Sequence, residues 1–389
     1  MTTLRPRLPD TLVDASKHII QTKQAWEGRK AELRALFESE MYGPWPGTPA
    51  VSHVRALEDG YAFGDTAVVR RIRVSTQRPT SEFVLTIVRP TGTQTPVPCF
   101  VYPNFDGDPA LPADTAPVAQ EAEQLGHATD AWDLPSTLAA GYAVATFRYA
   151  SVVPDELAAA ERSLLGFTAG GPRPGGLIVW AWAASRAREA LSAVPEIDHD
   201  RVIVAGHSRM GKVALIAAAF DERFCGAVAH QSGCCGAAPS RAHPMLAKPG
   251  ADGRPAVETI ASITHAFPHW FTPRLSTYAD STGDLPVDQH ELIALCAPRP
   301  VLLSNAADDQ WADPEGQFEM LRAAEPVYRL LTGTGHDTAQ PSAPEMLANG
   351  LLAYTLREGG HAVTAADWRT WCEFADSRFG RFGAADEEG

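Results

Sequence analysis

The run Arg201-Val-Ile-Val-Ala-Gly206-His207-Ser208-Arg209-Met210-Gly211-Lys212 passes from an apolar strand straight into an alanine-rich helix. A serine at the tip of so tight a turn projects its hydroxyl above the sheet. It also stands at a helix N-terminus, where backbone N–H groups can hold a developing oxyanion. Nucleophilic attack by Ser208 on a carboxylic ester is the chemistry this arrangement suits. Small residues are needed where the backbone is strained and closely approached, and Gly206 and Gly211 supply them. The second glycine comes one position later than in the usual G-x-S-x-G. The competing reading of the same run makes Ser208 a plain helix N-cap.

A serine nucleophile needs a base, and on a strand-turn-helix scaffold of this kind the chain order is serine, acid, histidine. An acidic turn, Asn305-Ala-Ala-Asp308-Asp309-Gln310-Trp311-Ala-Asp313-Pro314, follows the apolar stretch 301–304. Asp308, Asp309 and Asp313 are its candidate carboxylates, and Asp313, just before Pro314, reads as the cap of the next helix. Beyond it, Tyr328-Arg-Leu-Leu-Thr-Gly333-Thr-Gly335-His336-Asp337 reads as a short strand leading to a glycine-bracketed loop. Of the 12 histidines, His336 is the one so placed and is the expected base.

These residues need a scaffold, and the pattern around them predicts one. Residues 20–42 carry Trp26, Leu33, Leu36, Phe37 and Met41 at helical spacing among charges, and Gly43-Pro44 ends the helix. Strands at 68–74 and 82–88 open a sheet. Apolar stretches at 100–102, 143–147, 202–205, 226–230 and 301–304 then alternate with helices at 178–192, 212–220 and 315–323. Further helices are expected at 344–358 and 365–377. Such alternation is the mark of a mostly parallel sheet covered by helices on both faces, a three-layer sandwich of the α/β class. One domain over 1–389 is expected, with an N-terminal helical extension at about 15–45. Irregular stretches at about 104–135 and 234–286 exceed common loop lengths and are the expected cleft-forming insertions.

Composition restricts the partners. A net charge of −14 repels nucleic acid and anionic membrane surfaces at long range. No apolar run reaches the roughly 18 residues of a membrane span, and no signal-peptide pattern opens the chain, so a cytoplasmic setting is expected. The six cysteines lack paired CxxC spacing and read as reduced packing residues, Cys234-Cys235 included.

With these motifs in place, the chain resembles the glucuronoyl esterases, whose elbow reads G-[CH]-S-R-x-G-K. The resemblance runs through Trp26, Tyr42-Gly43, Trp180-Ala-Trp182-Ala-Ala-Ser-Arg186, Ser208-Arg209-Met210-Gly211-Lys212 and Gln231-Ser232-Gly233. It continues in Pro268-His269-Trp270-Phe271, Leu285-Pro286-Val287-Asp288-Gln289-His290-Glu291-Leu292, Ala297-Pro298-Arg299-Pro300 and Asp309-Gln310-Trp311-Ala312-Asp313-Pro314. It implies the α/β-hydrolase fold and acyl-enzyme hydrolysis of an ester of glucuronic acid or a related uronate, borne by a small molecule or an oligosaccharide. No metal or organic cofactor is implied. By the same resemblance Ser208 attacks, Arg209 helps hold the oxyanion and Asp309 matches the family acid in position. Lys212 hydrogen-bonds sugar hydroxyls, Trp311 lines the sugar site and Glu258 matches a sugar-binding glutamate. An esterase for acetylated sugars or other small esters, and a non-catalytic carbohydrate-binding protein, are the alternatives. Three departures stand out, one being that no export signal is seen although esterases of this family usually meet their polymer substrate outside the cytoplasm. Gln231 replaces the glutamate of E-S-G and cannot be a charged partner of histidine, and the stretch between the acid turn and His336 is short.

Overall fold

The computed structural model describes residues 7–47, 51, 53–77, 79–105, 132–168, 170–241, 255–333 and 350–380. Among these, nine strands form one mixed sheet in the order β1-β2-β3-β5-β4-β6-β7-β8-β9. They are β1 (His53–Ala62), β2 (Ala67–Gln77), β3 (Thr80–Pro90), β4 (Val97–Asn104), β5 (Ala143–Arg148), β6 (Ile197–His207), β7 (Gly226–His230), β8 (Val301–Ala306) and β9 (Leu352–Arg357). The first three pair antiparallel, as does β3 with β5; β5-β4-β6-β7-β8-β9 pair parallel.

Residue patterning explains the two halves. In β2, Val69, Ile72 and Val74 are buried between the less buried Arg70, Arg71 and Arg73, as befits a strand with one wetter face. In β4 every residue is buried, with Cys99 and Val101 on one face and Phe100 and Tyr102 on the other. The first face packs into a large cluster that includes α1 (Lys23–Phe37), α4 (Gly176–Ala190) and α5 (Arg209–Phe220). The second meets α2 (Leu134–Ala139) and α9 (Ala365–Phe379), through Leu134, Leu138, Trp368 and Trp371. Alanines along α5 leave little side chain between helix and sheet, and the helix is buried from Arg209 to Ala219.

The remaining helices are α3 (Leu157–Leu164), α6 (Ile260–Ala266), α7 (Gln289–Ala294) and α8 (Pro314–Thr332). The N-terminal helix α1 is capped by Thr22, whose hydroxyl accepts from Ala25 N–H, and a π-helical turn, Glu38–Tyr42, continues it. It locks onto the core where Arg29 pairs with the buried Glu291 at 3.1 Å and Tyr42 Oη donates to Cys235 O at 2.9 Å. Asp313 caps α8 as expected, accepting from Gly316 N–H.

Two expected elements differ. The stretch 328–331 is not a strand: α8 runs through Pro326 to Thr332, burying Val327 and Tyr328. Pro326 is exposed on the helix, so the hydrogen bond it cannot donate is lost on a side that water reaches. The described part of 344–358 is not a helix either. Leu352–Arg357 pairs parallel with β8, from Val301↔Leu352 to Ala306↔Arg357, and its burial in the sheet overrides a helix-compatible composition. Of the two expected insertions, 106–131 and 242–254 lie outside the described residues.

Candidate active site

At the end of β6 the chain turns so sharply that Ser208 adopts φ 57° and ψ −124° before entering α5. A side chain at position 206 would put its Cβ 2.1 Å from Met210 O, and one at 211 would put it 2.9 Å from His230 O. Both contacts are with backbone, so only glycine fits. Ser208 N–H is tied to His230 O at 2.9 Å, while its hydroxyl makes no capping bond to the helix it begins. The N-cap reading of Ser208 is thereby removed, and the side chain lines a cleft of about 390 Å³.

Across the cleft, Asp309 follows β8 and is 5% exposed. Its Oδ2 is 2.7 Å from Nδ1 of His361, in the loop between β9 and α9. The imidazole is 41% exposed and lines the same cleft as Ser208. Backbone bonds lace the histidine loop to the acid turn: Ala307 N–H donates to Arg357 O at 2.8 Å and Asp308 N–H to Gly359 O at 3.0 Å. Asp308 itself is exposed. His336 lies outside the described residues, and the histidine that meets Asp309 is His361.

Beneath His361 lies His207, with ring centroids 4.6 Å apart, and beyond it His230, a further 5.2 Å on. Burial, helped by the adjoining His361, pushes the His207 pKa down to about 3, so this ring is neutral at physiological pH. Its Nε2 is 3.0 Å from Gln231 Oε1.

The two cations of the elbow are held differently. Arg209 pairs with Asp155, and its guanidinium lies over Trp270, Phe267 and Phe105 at 4.9, 5.4 and 5.6 Å. Asp155 also accepts from His269 Nε2 at 2.8 Å, Trp270 Nε1 at 2.6 Å and Tyr149 Oη at 2.7 Å. Burial opposes its ionisation, but the His269 hydrogen bond and the Arg209 charge outweigh it and hold the carboxyl below the usual range. Lys212 is buried, and its Nζ donates to Ser232 O at 2.6 Å, Cys234 O at 2.7 Å and Glu258 Oε2 at 2.9 Å. An ammonium has three hydrogens, and these acceptors use all three. Trp311 is 42% exposed at the cleft rim rather than packed in the core, and its carbonyl accepts from Glu258 N–H at 2.9 Å.

The glucuronyl esterase profile described for fungi matches residues 128–332. The carbohydrate esterase MZ0003 of an unknown prokaryotic organism is 34% identical over 406 residues, covering 95% of this chain and 89% of that one. A glucuronoyl esterase from Solibacter usitatus superposes with a TM-score of 0.84 at 29% identity, over 97% of this chain and 100% of that one. A promiscuous esterase from a marine bacterial metagenome gives 0.81 at 32% identity, over 97% and 98%. This chain belongs to the glucuronyl esterase family.

As a family member it is a carboxylic-ester hydrolase of the α/β-hydrolase fold, and the expected site can be sorted on that footing. The structure brings Ser208, Arg209, Lys212, Glu258, Asp309 and Trp311 to one cleft. The histidine that meets Asp309, His361, was not singled out in the sequence. Its signal was the run Glu358-Gly359-Gly360-His361 after the last strand and before the Thr364 helix cap, hidden because that strand had been read as helix. From Asp309 to His361 the separation is 52 positions.

Proposed function

We propose that this glucuronyl esterase family chain cleaves esters of glucuronic acid or a related uronate through an acyl-enzyme, with Ser208 as nucleophile, His361 as base and Asp309 as the orienting carboxylate. The observation that carries this reading is the 2.7 Å bond from His361 Nδ1 to buried Asp309, in the cleft that receives Ser208 from its strained elbow. With Nδ1 engaged, Nε2 is the nitrogen left to take the serine proton. Ser208 Oγ then bonds to the ester carbon, and negative charge collects on the carbonyl oxygen beside Arg209 and the first turn of α5. Collapse expels the alcohol, which takes its proton from His361. Water, deprotonated in turn by His361, releases the uronic acid and restores the serine.

The substrate class rests on the resemblance and on relatives named 4-O-methyl-glucuronoyl methylesterase, such as that of Neurospora crassa, 27% identical over 93% of this chain and 84% of that one. In this reading Trp311 stacks on the sugar and Glu258 accepts from its hydroxyls. Lys212 acts one step back: its hydrogens are already used, so it fixes Glu258 rather than reaching for the sugar. We read the scaffold as a mostly parallel, three-layer sandwich, on the strength of the two apolar clusters that flank β4.

The test combines hydrolysis of methyl glucuronate and of aryl acetates with fluorophosphonate labelling, in parent and Ser208→Ala. Both activities and the label should vanish in the variant while the fold persists, and the parent should prefer the uronate. Activity in Ser208→Ala within tenfold of the parent would end the serine mechanism; a parent faster on acetates would end the uronate assignment.

A further inference from the structure

His361 sits between two backbone positions that one buried side chain bridges from beneath, while Arg357 Nη2 reaches the carbonyls of the same two residues, Gly360 at 3.5 Å and Ala362 at 2.5 Å. Gln231 follows β7, is 1% exposed, adopts φ 47°, and is anchored by its own N–H to Ser304 O at 2.8 Å. Its Nε2 donates to Gly360 O at 2.9 Å, and its Oε1 accepts from Ala362 N–H at 3.0 Å. The amide therefore grips the chain immediately before and immediately after His361. Both partners are backbone groups of fixed polarity, so the orientation of the amide is set by them. With Oε1 facing His207 as well, the proton in that third contact belongs to His207 Nε2.

We infer that Gln231 is a positioning residue for the catalytic base, clamping residues 360–362 so that His361 meets both Asp309 and Ser208. This rests on the reading of His361 as the base. Three features support it. His361 follows Gly359 and Gly360, the two residues least able to hold a backbone in place by themselves, and Gly359 has φ 95°. The imidazole is half exposed, so packing does not fix it. A carboxylate at position 231 could accept from Ala362 N–H but has no hydrogen to give Gly360 O, so the amide suits this loop better than an ionised acid. The amide at 231 supplies a two-sided grip, and among the described residues Asp309 supplies the anion to His361.

The experiment compares the full chain with Gln231→Leu, which keeps the bulk and loses the amide, and with Gln231→Glu, which keeps one acceptor. Displacement of a catalytic group by about 1 Å costs on the order of 100-fold. Gln231→Leu should therefore lose about 100-fold in kcat with KM within threefold, and Gln231→Glu should regain at least tenfold of that loss. In ¹⁵N-histidine-labelled protein, the downfield Nδ1 proton of the His361–Asp309 bond, assigned by its absence in Asp309→Asn, should be present in the parent and broadened away in Gln231→Leu. Should Gln231→Leu fail to fold, Gln231→Asn, too short to reach both backbone groups, carries the same expectation. Retention of a third or more of kcat with the proton signal intact overturns the clamp. A parent whose activity is unchanged by His361→Ala overturns instead the assignment of the base.

Discussion

The Ser208 side of the cleft is built from one continuous stretch of chain, whereas the His361 side is assembled from three. Ser208 is placed by the end of β6, Gly206, Gly211 and the start of α5, all within a few residues of it. His361 is placed by Asp309 after β8, by Gln231 after β7, and by backbone bonds from 307 and 308, on a loop after β9. A local device writes its requirements into a short motif. A non-local one distributes them over positions that look ordinary one at a time, and it depends on the strand order being right.

The sharpest way to break this contrast is to remove the imidazole. Loss of the base from a hydrolytic triad costs on the order of 10⁶ in kcat. His361→Ala should fall by about that much, whereas His336→Ala should stay within a few-fold of the parent. Steady-state hydrolysis with matched thermal melts checks both, and the opposite ranking would return the base to His336. One step smaller is the carboxylate: Asp309→Asn should lose about 10⁴-fold, because the amide favours the wrong tautomer of the histidine. Asp308→Asn should lose less than fivefold, its exposed side chain taking no part in the imidazole bond while its backbone N–H still reaches Gly359. Comparable losses in the two variants would mean that the turn, and not the Asp309 charge, is what matters.

Much of the fold was legible in the sequence because its signals are local: the period-2 alternation of β2, the apolar strands β4 to β8, the Gly-His-Ser-Arg elbow, the Asp313 cap. What escaped reading was governed by contacts. Pro326 stands as a helix stop in sequence, yet the helix continues because Val327 and Tyr328 are buried, with Tyr328 Oη donating to Arg299 O at 2.9 Å. Leu352-Ala-Tyr-Thr-Leu-Arg is written in residues that serve a helix equally well, and becomes a strand by completing the edge of β8, with Tyr354 Oη donating to Pro314 O at 2.7 Å. Losing β9 meant losing the loop after it, and with it His361. Lys212 shows the same boundary: its place in the cleft was readable, but that its three hydrogens are spent on Ser232, Cys234 and Glu258 was not.

That saturation sharpens the comparison on the nucleophile side. Lys212→Met keeps the stem of the side chain but leaves two buried carbonyls and the Glu258 carboxylate without their donor. Breaking one member of a buried ion pair costs about 3–5 kcal/mol. The variant should melt lower by a corresponding amount in urea or heat. Its KM for methyl glucuronate should rise more than its KM for an aryl acetate, which lacks the hydroxyls Glu258 would receive. Unchanged stability with a selective loss on the uronate would return Lys212 to direct sugar binding.

The smallest expected effect tests the histidine stack that joins the two sides. His207 has a folded pKa of about 3 against an ordinary 6.5, because burial and the neighbouring His361 disfavour its charged form. Between those two values the unfolded chain binds a proton here that the folded chain does not, so stability rises with pH across the window and is lost on acidification below 6.5. Each pH unit within it is worth at most about 1.4 kcal/mol. Other groups titrate over the same range, so the slope must be isolated by comparison with His207→Gln, whose amide nitrogen can still donate to Gln231 Oε1 but takes up no proton. Urea unfolding at pH 6.5 and at pH 5 should show the parent losing about 2 kcal/mol more than the variant. If the two lose the same amount, His207 is able to take up its proton inside the fold. The ring beneath His361 would then be a charged neighbour of the base at acid pH rather than a neutral platform.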